Sequence, residues 1–143
     1  MAKLSRLRPQ ASRNRTSKGE SEVYNLLRKI LPTAVMWTEY PYYQFTNTIN
    51  RKLKTDVFIQ SFSIAVEFQG ELHYKTVDFG KDEKSAFEAK RAFEERQKLD
   101  EEKRRLTKES NIKLLEIDYK EWKNLKTESN KIKWLQDSIY QLV

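Results

Sequence analysis

The chain has 143 residues, of which 38% are hydrophobic, 12% aromatic and 34% charged, and it has no cysteine. That length suits one domain with a real core rather than two. The aromatic content argues against disorder throughout, and the lack of cysteine excludes disulfides and zinc–cysteine sites. The net charge is +7, and Lys3, Arg6, Arg8, Arg13 and Arg15 put +5 of it into the acid-free residues 1–16. From charge alone that segment reads either as a basic arm for a polyanion, most simply nucleic acid, or as a solvated tail. No apolar run nears the ~18 residues of a membrane span, and no secretory segment follows the N-terminus.

Residues 17–143 are expected to form the folded domain. Ser17-Lys18-Gly19-Glu20 has the spacing of a capping box. Val23, Leu26, Leu27 and Ile30 then recur at helical spacing up to Pro32, which predicts a helix over 18–31. Residues 35–46 are rich in strand formers but contain Pro41, which predicts an edge strand or two short pieces. Residues 47–52 read as a loop. Two strand-like runs follow, 55–60 and 63–70, around Ser61-Phe62. Residues 75–82 read as loop. The charged, Gly- and Pro-free stretch from about Glu83 to Lys108 predicts a long helix ending near Asn111. A strand over 112–117 and helices over 120–125 and 129–141 complete the chain. The expected fold is α/β, a single domain with a central mixed sheet flanked by helices. The last strand, following a long helix, should pair in parallel with an earlier one.

The segment AVEFQGELHY, residues 65–74, carries the chemistry. If the two runs around Ser61-Phe62 form a tight hairpin, paired numbers sum to 123 and Asp56 faces Glu67. Alternation then puts Val57, Ile59, Ile64, Val66 and Phe68 on one face and Asp56, Glu67 and Gln69 on the other. Facing Cα atoms would be about 4.5–5.5 Å apart. Two carboxylates so placed repel, and a divalent cation reverses the sign of that cost. From spacing alone two readings stay open: a metal site at Asp56 and Glu67, or acids on a wet face paired with Lys or Arg. His73, the one histidine, follows the strand end and has an ordinary pKa of about 6.5, suited to proton transfer. By position alone Asp100 is one acid among many on a charged helix, and Glu20 is a helix-capping carboxylate.

Together, SKGE at 17–20, Thr55-Asp56, AVEFQGELHY, Leu99-Asp100-Glu101-Glu102-Lys103 and the 111–119 strand resemble the PD-(D/E)XK nucleases, with a restriction-endonuclease-like core. They are most similar to the EDxHD-type phage and bacterial homing endonucleases related to very-short-patch repair endonucleases. The resemblance spans roughly residues 17–119. It implies an intracellular, Mg2+-dependent endodeoxyribonuclease, of a bacterial or phage-infected cytoplasm, with Mn2+ as a substitute metal. Asp56 would be the central metal ligand, and Glu67 would hold the metal or its waters. Glu20 would act from the helix, behind the metal ligands or on a second metal, His73 would transfer a proton or contact phosphate, and Asp100 would orient His73 or complete the acidic set. Gln69 departs from the acid or lysine of the pattern, Glu116 stands where an arginine is common, and the structural zinc of the repair enzymes has no ligands here. DNA is the implied partner, gripped by Lys3, Arg6, Arg8, Arg13, Arg15 and Lys18. A homing-type or structure-selective enzyme, a Holliday-junction-type resolvase, a dimer with one half-site per subunit, and an inactive nuclease-fold nucleic-acid-binding protein are all compatible with this domain.

Overall fold

Helix α1 (Lys18–Ile30) buries Val23, Leu26 and Leu27, the stripe its spacing predicts. In the computed structural model, which describes residues 18–70 and 83–143, this stripe packs on a sheet of four strands in the order β1-β2-β3-β4. These are β1 (Met36–Pro41), β2 (Lys54–Ile59), β3 (Ile64–Gln69) and β4 (Lys113–Asp118). The first three pair antiparallel, and β4 pairs parallel to β3 after the long crossover helix α2 (Glu83–Glu109). Two further helices, α3 (Tyr119–Asn124) and α4 (Glu128–Leu142), complete the domain. It is a small α/β domain with a mixed sheet flanked by helices, as the order of sequence signals predicts. β1 is an edge strand and Pro41 ends it, where a missing N–H costs no ladder bond. No helix among the described residues is long and apolar enough to cross a membrane. The arm at 1–16, Ser17, His73 and the 75–82 loop lie outside the described residues.

The hairpin register is the expected one: Val57 pairs with Val66, Phe58 with Ala65 and Ile59 with Ile64. The connection differs from the expected two-residue turn. Residues 60–62 form a 3-10 turn, and Ser63 closes it in the left-handed region at φ 55°. Ser-Phe lacks the two positive-φ residues that a tight hairpin turn demands, so the chain spends four residues and keeps the register.

One sheet face joins Val57, Ile59, Ile64, Val66, Leu115 and Ile117 to the α1 stripe and to Leu135 and Ile139 of α4. The other carries Trp37, Phe58 and Ala65, with the Phe45 and Phe58 rings stacked at 4.3 Å. Leu106 of α2 joins Tyr42 and Leu53 there. Asn111, at φ 59°, ends α2 and turns the chain into β4. Between α1, α3 and α4, Glu22 accepts from Trp122 Nε1 at 2.8 Å and pairs with Lys131 Nζ at 2.9 Å.

Candidate metal centre

Three carboxylates converge at one end of the sheet. Glu20 comes from the first turn of α1, Glu39 from β1 and Asp56 from β2, and one oxygen of each lies within 4.8 Å of the others. The sheet register explains the approach of the two strand residues. Tyr40 pairs with Thr55 and Thr38 with Val57, which leaves Glu39 opposite Asp56. Glu39 itself has φ 50°, a left-handed conformation inside a strand, which is uncommon for a residue with a Cβ.

Glu20 reaches the sheet because Gly19 precedes it. A Cβ at Gly19 would overlap the Phe68 ring of β3, so only glycine lets the start of α1 sit so close to the strand. The β2–β3 ladder also changes here. Beyond Val57 and Val66, side chains replace backbone pairing: Thr55 Oγ1 donates to Val66 O at 3.0 Å, and Phe68 N–H donates to Asp56 Oδ2 at 2.7 Å. The second bond fixes Asp56 against β3.

Glu67 is 4% exposed. Its oxygens are held by Tyr42 Oη, donating at 2.8 Å, and by Lys103 Nζ of α2 at 3.2 Å. Glu67 therefore stands beside the Glu20–Glu39–Asp56 trio rather than within it, whereas the hairpin register alone pairs Asp56 with Glu67 as the metal ligands. Burial pushes the Glu67 carboxyl up to about 8; Lys103 opposes this, Asp56 adds to it, and the Tyr42 bond opposes it. Glu20 is also pushed up to about 8, by burial first and then by the negative charges of Asp56, Glu39 and Glu67, with Lys103 pulling the other way. Burial and the neighbouring Glu67 raise Tyr42 far above its ordinary range, so its phenol stays a donor.

No family model, curated protein or solved structure matches this chain.

The remaining expected residues fall as follows. Gln69 is buried, but its Nε2 donates to Glu116 Oε1 at 3.1 Å, and Arg104 Nε donates to the same oxygen at 2.8 Å. Gln69 thus belongs to a polar ladder between β3, β4 and α2. The unexpected acid at Glu116 has its reason in that ladder. Asp100 is 8% exposed, although its neighbours Leu99 and Glu101 are exposed. Burial pulls the Arg104 guanidinium down, but its bond to Glu116 and then the charges of Glu116 and Asp100 hold it above its ordinary value. Asp100 is not one acid among many on a wet face. His73 and the basic arm lie outside the described residues; Lys18 is exposed at the start of α1.

The donor set fits a hard divalent cation. Three carboxylate oxygens from three elements suit an oxygen-only site, and octahedral Mg2+ with ligands at about 2.1 Å spans about 4.2 Å between opposite ligands. Only one oxygen pair can lie trans, and adjacent ligands stand about 3 Å apart, so oxygens within 4.8 Å of one another would draw together on the ion. Burial raises Glu20 most, and the repulsion from Asp56 and Glu39 that adds to it is what such a cation would remove.

Sequence reasoning misses Glu39, Lys103 and Tyr42. Lys103 carried a signal: Asp100, Lys103, Leu106 and Thr107 recur at helical spacing and form the inward side of α2. Glu39 carried none, because twelve residues separate β1 from β2 and hide their register.

Proposed function

We propose that the chain is a metal-dependent endonuclease that hydrolyses phosphodiester bonds in DNA. The observation that carries this reading is the convergence of Glu20, Glu39 and Asp56, with the Lys103–Glu67 pair alongside. The basic excess of the chain favours a phosphate polyanion as substrate. The resemblance of its motifs to PD-(D/E)XK nucleases favours DNA.

Glu20, Glu39 and Asp56 would hold Mg2+ or Mn2+. A cation there would supply charge neutralisation at the phosphate and a water of lowered pKa. The chain's own groups then divide the remaining work. Asp56, fixed by the Phe68 N–H, orients the ligand cluster. Lys103 brings an ammonium to Glu67, supplying from α2 the positive charge that Gln69 lacks. In the reaction the water oxygen bonds to phosphorus and one P–O ester bond breaks. The water's proton passes to a base, and the leaving oxygen is protonated. His73 is the residue in the sequence suited to that proton transfer at neutral pH.

The decisive experiment incubates the protein with supercoiled plasmid and Mg2+ or Mn2+, beside Asp56→Asn. Wild type should nick or linearise the plasmid, and the variant should lose at least about a hundredfold in rate. Cleavage that survives the substitution would sink this site. A second reading, a nuclease-fold DNA-binding protein without activity, is favoured by one observation: Gln69 is committed to Glu116 rather than to the acidic cluster. Intact DNA binding with no cleavage under either metal would select it.

A further inference from the structure

The β1–β2 connection, residues 42–53, is long for a hairpin, contains no glycine and is tied down along its length. Tyr42 N–H donates to Leu53 O at 2.8 Å and closes its base. Thr46 Oγ1 donates to Tyr42 O at 2.7 Å. Asn50 N–H donates to Thr48 Oγ1 at 3.1 Å, and Lys52 N–H to Asn50 Oδ1 at 3.0 Å. This frame holds Ile49 in water, 94% exposed, the most exposed large apolar side chain among the described residues. Arg51 is parked over the Tyr43 ring at 4.4 Å, and Lys52 and Lys54 are exposed beside it. From Tyr40 to Thr55 the chain carries three bases and no acid.

The position matters as much as the chemistry. Pro41 pairs with Lys54 at the foot of this loop, two residues along each strand from Glu39 and Asp56. Two residues of strand cover about 7 Å. A pre-ordered loop with an apolar tip and basic flanks therefore rises next to the acidic cluster. Ordering that is complete before binding removes an entropic cost from association. A duplex groove beside a phosphate offers complementary chemistry, with base edges for an apolar tip and phosphates for flanking bases.

We propose that loop 46–52 is the groove-reading element of this protein: Ile49 enters a groove of duplex DNA beside the scissile phosphate, and Arg51 and Lys52 grip the flanking phosphates. This deepens the nuclease reading and rests on it for the substrate.

The test measures binding of a fluorescein-labelled 30-base-pair duplex by anisotropy in EDTA, from low to high salt, for wild type, Ile49→Ser and Arg51→Gln/Lys52→Gln. All three side chains are exposed, so melting temperatures should match wild type. Ile49→Ser should weaken binding about tenfold with an unchanged salt slope. The double variant should weaken it and lower the slope by about 1.8. Wild-type affinity and slope in both variants, or no duplex binding by wild type, would overturn the proposal. Plasmid cleavage run in parallel separates the two readings. Binding that depends on the loop without cleavage removes the nuclease and keeps the loop. Cleavage with loop-independent binding does the reverse.

Discussion

Lys103 reaches Glu67 from the far side of the sheet, and the pair sits where an isolated carboxylate would be costly. Replacing the lysine by methionine keeps most of the stem and removes the charge. Lys103→Met should destabilise the fold by about 1–3 kcal/mol, the cost of leaving a buried polar group without its partner. The loss should be larger at pH 8 than at pH 5, because Glu67 holds its proton up to about 8. Pairing it with Glu67→Gln should recover most of the loss in urea melts. An unchanged Lys103→Met melt would show that Tyr42 alone satisfies the carboxylate. Strand alternation set Glu67 opposite the core stripe, as a metal ligand or an acid on a wet face, and did not show that it is buried. Nor was its partner legible, since 36 residues separate them and only the packing of α2 brings them together. Gln69 shows the converse: its type was read from the strand, and its partner Glu116 depended on the parallel pairing of β3 with β4.

At the scale of elements, the approach of α1 to β3 decides whether Glu20 belongs to the site. The first turn of a helix is where an acid serves the helix dipole, and Glu20 is placed for that role as well. What draws it to Asp56 is the missing side chain at Gly19. Gly19→Ala should improve helix propensity by up to about 1 kcal/mol. Overlap with Phe68 costs about 1–3 kcal/mol and should outweigh that gain. Thermal melting should therefore show a net loss, and Mg2+-dependent stabilisation should weaken as the helix start is displaced. A more stable Gly19→Ala with full metal response would mean that the Phe68 ring moves aside freely. The hairpin teaches a related lesson. Its register followed from two alternating runs and survives a longer connection than Ser61-Phe62, because four residues with a left-handed Ser63 close the same register as two.

For the whole molecule, two raised carboxyls couple folding to pH and to cations. Glu20 and Glu67 hold their protons to about 8 when folded and to the ordinary 4.5 when unfolded. Between those values the folded chain binds more protons than the unfolded one, so stability should fall as pH rises from about 4.5 to about 8. Glu22 is lowered, with its bonds to Lys131 and Trp122 outweighing burial. It therefore loses its contribution only as pH falls below the ordinary carboxylate range, outside that window. Mg2+ binding needs the acids deprotonated, so it should raise the melting temperature more at pH 8 than at pH 5.5. A melting temperature that climbs with pH in EDTA would contradict this arrangement of charge. By itself the sequence determined the element order, the core stripe of α1, the β2–β3 register and the placing of Asp56 beside Glu67 on the face away from the core. These follow from local periodicity and from neighbours close along the chain. Only the tertiary structure decided that Glu39 completes the acidic trio, that Lys103 docks on Glu67 and that Gln69 turns to Glu116. Each of those depends on strand order or helix docking between distant segments, which no local pattern of residues encodes.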